Sequence, residues 1–502
     1  MTEKRSFFLG PVLVLGIAGC GSSGSDGASS GAASSAASAG GAGGGSAASA
    51  TGSGGVTGTT GGAASGVGGG SGGSSTAGGS GSGGSGGGTM VPCTFTADPT
   101  LSEEIPTVGI VTWSTDLLGV DNASIDFGRD TTYGMRAPVD LAEPNYRTLL
   151  LGMKASTEYH FRITAGAAGS QCQSQDFTVT TGPLATGLPD VDVETSDAEA
   201  VAGGFLITGQ YQGQGGGAAP AYILDADGDI VWWYSIGNNV TGARMSYDGK
   251  YMWINGANVP ESQGANVHRV TMDGLMDENL SLDFTGQNHQ LTVLPDETVA
   301  FYAYGNNGCD DVKLRAPDGT VTTVINARDA HGVDGACHVN AIEYSPEDNT
   351  LVFSDLDHDN YTKVTLEGEV VWVLGGDSSH FDGAGAAWSR QHGVDVLGLD
   401  RFLIFNNGSG GGGEGSLAIE ILLDFGSMTA TRAWTYAGGI SNAIMGDVQR
   451  LDNGNTIVAY STQGVLHEVG PDQTLLQELS WPIGGAFGYV IKRQSLYGPP
   501  PR

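Results

Sequence analysis

The chain has 502 residues, with 54 aspartates and glutamates against 21 lysines and arginines and a formal net charge of −33. This balance argues against a nucleic-acid partner, because affinity for nucleic acid comes mainly from the neutralisation of phosphates. Most of the 85 glycines lie in one N-terminal segment and in turns.

Residues 1–20 are typical of an exported bacterial lipoprotein. Lys4 and Arg5 form a short basic region, and residues 7–17 form an apolar stretch too short to span a membrane as a helix. The stretch ends in IAGC, which resembles a lipobox with Cys20 as the lipidated residue. The prediction is a lipoprotein of the bacterial cell envelope, anchored by lipid alone at the periplasmic or surface face of the outer membrane. An ordinary signal peptide followed by a chance cysteine is the alternative.

Residues 21–89 consist almost entirely of glycine, serine, alanine and threonine. Such a segment buries too little apolar surface to offset chain entropy, so it is expected to be disordered. A glycine-rich coil of this length has a mean reach on the order of 45 Å. The segment is therefore predicted to be a tether between the membrane and the folded part.

Four further cysteines follow the tether: Cys93, Cys172, Cys309 and Cys337. An exported protein can form disulfides. A Cys93–Cys172 bond would staple the first folded region, and a Cys309–Cys337 bond would staple a loop in the second. The even count fits two disulfides, but the sequence leaves the pairing open.

Residues 90–183 contain short alternating strands separated by turn residues. About 90 residues of this kind predict a small β-sandwich. The run LGMKASTEYHFRI resembles the late strands of a fibronectin type III domain, with Tyr159 as a candidate tyrosine corner. No chemical constellation stands out, so the region is interpreted as a spacer or as a dimerisation domain that would make a homodimer.

Residues 190–497 alternate between two types of β-hairpin, and six of each can be identified. The alternation predicts a six-bladed β-propeller with four strands in each blade. The first type comprises 203–209, 243–254, 289–302, 338–353, 392–405 and 447–460. The second type comprises 222–234, 268–282, 312–325, 361–374, 417–434 and 465–479.

Three histidines occupy matched positions in this repeat. His289, His338 and His392 each stand at the start of a first-type hairpin. Since the first strand of every blade lines the central channel, the three imidazoles are expected to converge at one mouth of it. The six other histidines are interpreted as structural or surface residues: His160, His268, His331, His358, His380 and His467.

Converging imidazoles suit two kinds of chemistry. They could bind zinc, copper or iron. Alternatively, one neutral imidazole could act as a nucleophile while its neighbours stabilise an oxyanion. Asn340, two residues after His338, favours the second option because its amide donates to an anion.

The repeat region resembles the bacterial arylsulfotransferases, the PAPS-independent aryl-sulfate sulfotransferases, over about residues 200–490. The resemblance rests on HQLTVLPDETV, CHVNAIEYSPEDNTLVFSD, GEVVWVLGG, QHGVDVLGLDRFLIFNNG and GDVQRLDNGNTIVAY. It implies a six-bladed propeller, often preceded by a small β-sandwich.

The resemblance also implies a ping-pong transfer from a phenolic sulfate ester to a phenol, without a cofactor or metal. His392, in the QH motif, matches the nucleophile. His289 and His338 match histidines that bind sulfate or transfer protons, and Asn340 matches a substrate-binding asparagine.

One departure from the family concerns an arginine expected to bind sulfate after the H-x-N hairpin. Here the segment reads SDLDH, and Leu356 stands at that position. Leucine cannot make a bidentate contact to an oxyanion. Arg244, Arg390 or His358 could substitute as the cation. If none of these side chains substitutes, the alternative is a non-catalytic surface propeller that binds a ligand or partner. A metal-dependent hydrolase or oxidase that uses the three histidines is a third option.

Overall fold

The computed structural model describes residues 89–211, 217–257, 266–305, 307–408, 415–482 and 486–499. The predicted signal peptide with Cys20 lies outside these residues, as does the tether up to residue 88. Among the described residues, no helix is long and apolar enough to cross a membrane.

The N-terminal part is built from strands that form two sheets around one apolar core. One sheet has the order β1-β8-β7-β4-β5 with β9 beside β7, and the other has the order β2-β3-β6. The core includes Trp113, Phe127 and Phe161. The strands are β1 (Thr89–Met90), β2 (Phe95–Leu101), β3 (Gly109–Thr115), β4 (Asn122–Gly128), β5 (Met135–Pro138), β6 (Thr148–Leu150), β7 (Glu158–Ala167), β8 (Ser170–Gln173) and β9 (Phe177–Thr180), with a 3-10 turn at Pro144–Tyr146.

Two local contacts tie this part together. Cys93 and Cys172 form a disulfide. The Tyr159 hydroxyl accepts a hydrogen bond from the backbone N–H of Lys154 at 2.9 Å. That is the contact a tyrosine corner makes with the chain a few residues upstream.

The larger part forms six antiparallel sheets. Sheets 2 to 5 each contain four strands in chain order, and the other two are completed by distant segments. Sheet 1 comprises β11 (Phe205–Tyr211), β12 (Ala221–Leu224) and β13 (Ile230–Tyr234), with β34 (Ala486–Phe487) and β35 (Ile491–Arg493) beside β11. Sheet 2 comprises β14 (Asn239–Met245), β15 (Tyr251–Ala257), β16 (Asn266–Thr271) and β17 (Asp277–Asn279).

The remaining sheets follow the same plan. Sheet 3 comprises β18 (Gln287–Val293), β19 (Val299–Tyr304), β20 (Asp310–Arg315) and β21 (Val321–Asn326). Sheet 4 comprises β22 (Val339–Ser345), β23 (Thr350–Asp355), β24 (Asn360–Thr365) and β25 (Val370–Gly375). Sheet 5 comprises β26 (Gln391–Val396), β27 (Arg401–Asn406), β28 (Leu417–Asp424) and β29 (Thr429–Ala437). Sheet 6 comprises β30 (Asp447–Arg450), β31 (Thr456–Tyr460), β32 (Val465–Val469) and β33 (Leu475–Ser480), with β10 (Asp192–Thr195) on its edge.

The first strands of successive sheets are neighbours from β14 through β18, β22 and β26 to β30. The C-terminal strand closes the series. Gln449 of β30 exchanges hydrogen bonds with the backbone of Lys492 in β35 at 3.0 and 2.6 Å. β35 in turn pairs with β11, and β11 contacts β14.

Two details differ from the sequence prediction. The segment 203–209 is a single strand rather than a hairpin, and its inner partners are β34 and β35. This pairing joins residues nearly 300 positions apart, so no local pattern reveals it. A short helix, α1 (Ala327–His331), also interrupts the strands, and the Asn326 side chain caps it.

The two parts of the fold pack directly against each other. Ile105, Val108 and Leu151 belong to the same apolar core as β11 to β13. Lys154 inserts its ammonium among the carboxylates of an acidic turn between β12 and β13, at 2.5 to 3.1 Å. The N-terminal part is therefore docked on sheet 1.

Candidate active site

The structure brings the three singled-out histidines together. His289 is the third residue of β18, His338 immediately precedes β22, and His392 is the second residue of β26. The ring centroids of His289 and His338 lie 5.4 Å apart. The charge of His338 acts on both other imidazoles. The predicted convergence is therefore present.

Each of these strands has an irregular register at the histidine. The breaks lie between Gln287 and Leu291 in β18, between Val339 and Ala341 in β22, and between Gln391 and Val394 in β26. A β-bulge bends the strand and redirects a side chain. The bulges therefore explain how histidines of three neighbouring strands can present their rings to a common site.

His289 has a strained backbone, with φ at 29°, in a region that favours glycine. Its carbonyl oxygen accepts hydrogen bonds from the Thr241 hydroxyl at 2.9 Å and from the Asn255 amide. Both partners belong to the neighbouring sheet 2. Strain of this kind persists only where surrounding contacts hold it, and here the next sheet supplies them.

His392 is held in one tautomer. Its Nδ1 lies 2.6 Å from Oδ1 of Asn407. The Asn407 amide nitrogen donates to the carbonyls of Asn442 and Met445 at 2.7 and 2.8 Å, so its oxygen must face the imidazole. An amide oxygen only accepts, and Nδ1 of His392 must therefore carry the proton. Nε2 is then the ring nitrogen without a proton, and the ring also hydrogen-bonds the backbone of Arg390.

Burial keeps the imidazoles of His289 and His392 neutral. It lowers the pKa of His392 to about 3, although the Asn407 hydrogen bond opposes the shift. Burial and the neighbouring imidazoles also lower the pKa of His289 well below its usual value. A neutral imidazole with an unprotonated Nε2 is a nucleophile or a base rather than an anion-binding cation.

Asn340 lies next to the histidines but is completely buried. Its amide donates to the carbonyl of Gln391 at 2.8 Å, and its side-chain oxygen accepts from Ser354. These contacts fix the chain just before His392. Direct contact of Asn340 with a substrate remains a prediction, and its observed contacts are those of a positioning residue.

The segment around Leu356, at the position of the expected arginine, forms a buried cluster of hydrogen-bonded side chains. Leu356 is 8% exposed. Oδ2 of Asp355 lies 2.9 Å from Nε2 of His331 and 2.8 Å from Nδ1 of His358. His358 also hydrogen-bonds the backbone of Asp334. A substrate-binding role for His358 remains a prediction.

This cluster has the spacing of a metal site, since donor atoms of His331, Cys337, Asp355 and His358 lie within 4.8 Å of one another. Its hydrogen bonds, however, are those of a protonated imidazole nitrogen rather than of a metal ligand. Nδ1 of His331 accepts the Val333 N–H at 3.2 Å, so Nε2 carries the hydrogen that points at Asp355. A ligating Nε2 would require a proton on Nδ1 instead. Cys337 is bonded to Cys309 in a second disulfide.

Arg244, one of the residues expected to substitute for the missing arginine, does not join the histidines. It is the penultimate residue of β14, at the opposite end of the first strands. Its guanidinium lies 3.8 Å from the Asp447 carboxylate. It lines a cavity of about 600 Å³ that also borders Glu343 and Asp395 but none of the three histidines. Arg244 therefore lines a cavity separate from the three histidines.

Two charged side chains border the histidine site without an ion pair among the described residues. Arg390 is exposed, has φ at 56°, and acts electrostatically on His392. Asp357 is exposed and lies within electrostatic range of His338 and Arg390. The sequence signalled Arg390 through its place beside the QH motif, but Asn407 was missed because FNNG offers two adjacent asparagines.

Comparison with known proteins gives one family and a set of distant structures. The sequence profile of the arylsulfotransferase (ASST) family matches residues 223–480. None of the curated proteins compared with the chain matches it significantly.

Three solved structures are similar to this chain at a low level. TolB from Acinetobacter baumannii is 13% identical, with a TM-score of 0.40 over 68% of this chain and 80% of its own. A protein of unknown function from Bacteroides thetaiotaomicron is 14% identical, with a TM-score of 0.36 over 78% and 98%. Virginiamycin B lyase from Staphylococcus aureus is 13% identical, with a TM-score of 0.35 over 66% and 93%.

The strain at His289 predicts an unusual order of stabilities. The free energy of unfolding should be about 1 kcal/mol higher for His289→Gly than for His289→Ala, because glycine adopts the left-handed φ without cost. Urea unfolding of the two variants measures the difference. The same pair at the neighbouring Gln290, where φ is not positive, should show the reverse order. Equal stability at position 289 would mean that the backbone there is relaxed.

The pKa of His392 predicts a flat NMR titration. Since burial lowers this pKa to about 3, the ring should stay neutral from about pH 5 to pH 8. His160, whose pKa is raised by its hydrogen bond to Asp176, should titrate above the ordinary value for a histidine and serves as an internal control. A midpoint near 6.5 for His392 would contradict the buried neutral tautomer.

Proposed function

Because the chain belongs to the arylsulfotransferase family, we propose that it moves a sulfuryl group from a phenolic sulfate ester to a phenol through a sulfo-histidine intermediate. One observation carries the proposal. At the point where three imidazoles converge, the buried neutral ring of His392 keeps its proton on Nδ1 and a lone pair on Nε2. That is the state a nitrogen nucleophile requires.

The same proposal extends to the architecture. Six successive sheets closed by the C-terminal strand support a six-bladed β-propeller. The two-sheet N-terminal part and the contact of Tyr159 support a fibronectin type III-like sandwich. Two disulfides are compatible with export. We propose an exported lipoprotein anchored through Cys20; a homodimer remains a prediction.

In the first half-reaction, Nε2 of His392 attacks the sulfur of the aryl sulfate. An N–S bond forms while the bond from sulfur to the phenolic oxygen breaks, and the phenol leaves with the electron pair of that bond. The imidazole gains positive charge, which the Asn407 oxygen stabilises through the Nδ1 proton. The neighbouring His338 is placed to exchange a proton with the leaving oxygen.

In the second half-reaction, an acceptor phenol attacks the same sulfur and the N–S bond breaks. The acceptor loses its hydroxyl proton to a base. His289 and His338 are candidates for that base, and the lowered pKa of His289 means that it is neutral at the start. His392 is restored with its lone pair, so the two half-reactions close a cycle without a cofactor.

The sulfate needs a cation, which we assign to Arg390. Leu356 cannot serve, and Arg244 lies at the other end of the strands beside Asp447. The guanidinium of Arg390 borders His392 and has no ion-pair partner among the described residues. A guanidinium can hold two sulfate oxygens in its planar fork.

A non-catalytic binding protein is the second candidate. The observation that favours it is the buried Leu356 at the position of the expected arginine. Removal of one oxyanion donor typically costs about 3–4 kcal/mol in the transition state. If Arg390 does not compensate, the site would bind a ligand without turning it over.

A coloured aryl sulfate tests the proposal. With a phenol acceptor present, the full chain should release coloured phenol at a rate that depends on the acceptor. His392→Ala should abolish the release, because it removes the proposed nucleophile. Release that persists in His392→Ala, or the absence of release from the unaltered chain, would favour the binding protein.

Two arginine variants give a matched comparison. Arg390→Gln should raise the donor concentration for half-maximal rate about tenfold, as expected for one charged hydrogen-bonding group. Arg244→Gln, which removes the same charge from the separate cavity, should leave that concentration unchanged. The reverse order would show that the sulfate is bound from the other end.

A further inference from the structure

The cavity that Arg244 lines has no part in the proposed sulfuryl transfer, because none of the three histidines borders it. Its volume of about 600 Å³ lies in the range of sites for small organic molecules. Aliphatic and thioether side chains form part of its wall: Met245, Val293, Val396, Leu397, Leu451 and Ile491. The cavity therefore suits a molecule with an apolar body better than a bare ion.

Five cationic side chains line the cavity, and four of them have a carboxylate partner. The four pairs are Arg244 with Asp447 at 3.8 Å, Arg401 with Glu420 at 3.2 Å, Arg450 with Glu420 at 2.7 Å and Lys492 with Glu468 at 2.7 Å. Arg493 is the exception, since it forms no ion pair with any residue that the structure describes. Its side chain is nevertheless buried, with 6% of the residue exposed.

The hydrogen bonds of Arg493 are also incomplete. Nη1 donates to the carbonyl of Ser246 at 3.3 Å. Nε and Nη2 are buried, and within the described part of the chain no group accepts a hydrogen from either. These two atoms form one edge of the planar guanidinium, and such an edge can hold both oxygens of a carboxylate. Because Ser246 already holds Nη1, an acceptor for this edge must come from the cavity that the side chain lines.

A buried guanidinium without a partner is costly to the fold. Leaving a buried donor unsatisfied costs free energy, and the cost is larger for a charged group. Burial lowers the pKa of Arg493 to about 10 against the opposing effect of Tyr247 and Asp248, so the side chain is still charged at neutral pH. A neutral side chain would serve packing at this position equally well. The charge therefore points to a ligand of opposite sign.

The other charges of the cavity restrict that ligand to a single negative charge. Glu343 and Asp395 line the same cavity. Each already accepts a hydrogen bond from the protein, Glu343 from the Thr292 hydroxyl at 3.1 Å and Asp395 from the Arg450 N–H at 2.6 Å. Two carboxylates beside one unpaired guanidinium repel a second anionic group. The apolar part of the wall is then left for the body of the molecule.

We propose that this cavity binds a small organic monocarboxylate. Its carboxylate accepts hydrogen bonds from Nε and Nη2 of Arg493, and its apolar body packs against the aliphatic wall. The site is separate from His392 and from Arg390, so the inference does not depend on sulfuryl transfer. It gives the chain a second ligand, of a different chemical class from a phenol or its sulfate ester.

Hexanoate and hexanamide form a matched pair of probes, because they share a shape and differ in charge. In ligand-observed NMR titrations, the full chain should bind hexanoate about tenfold more tightly than hexanamide, as expected for one charged hydrogen-bonded pair. In Arg493→Gln the ratio should fall to about 1. Glu343→Gln removes a repelling charge from the same cavity, so it should tighten hexanoate about threefold and leave hexanamide unchanged.

Arg390→Gln is the control for binding at the histidine site, and it should keep the full preference for hexanoate. Equal affinity of the unaltered chain for the two probes, or no binding of hexanoate, would overturn the inference. A preference that survives in Arg493→Gln, or one that disappears in Arg390→Gln, would also overturn it.

Thermal unfolding separates a ligand-binding arginine from a structural one. Without ligand, the Tm of Arg493→Gln should be no lower than that of the unaltered chain, because the substitution removes a buried unpaired charge. Hexanoate should raise the Tm of the unaltered chain and leave that of Arg493→Gln unchanged. A variant that unfolds at a lower temperature than the unaltered chain, or fails to fold, would show that Arg493 serves the fold and would contradict the proposed site.

Discussion

The hydrogen bond between His392 and Asn407 determines the chemistry of the site. The orientation of the Asn407 amide is fixed because the carbonyls of Asn442 and Met445 accept both hydrogens of its nitrogen. An asparagine that could turn over would permit either tautomer of the imidazole. Because this one cannot, the proton of His392 stays on Nδ1, and burial keeps the ring neutral.

The fold builds this site by deforming its innermost strands. Register breaks occur where β18, β22 and β26 present or approach their histidines, and the strained φ of His289 is held by side chains of the adjacent sheet. Strain and bulges cost stability. Each of these three strands lies between the first strands of the two neighbouring sheets, whose contacts hold the distorted segments in place.

The sequence was sufficient for the repeat, the three histidines and the family, because alternation and matched spacing are local patterns. It did not show at which end of its strand Arg244 lies, because the exact start of β14 cannot be read from the sequence. It also missed the pairing of β11 with the C-terminus and the role of Asn407, which both depend on contacts between distant segments.

The most direct test of the account is mass spectrometry of the full chain after mixing with an aryl sulfate and no acceptor. The account predicts one sulfuryl group on the peptide that contains His392, stable until a phenol is added and then lost. A sulfuryl group on another residue would identify that residue, rather than His392, as the nucleophile. Phenol release with an unmodified His392 peptide would contradict covalent catalysis by this histidine.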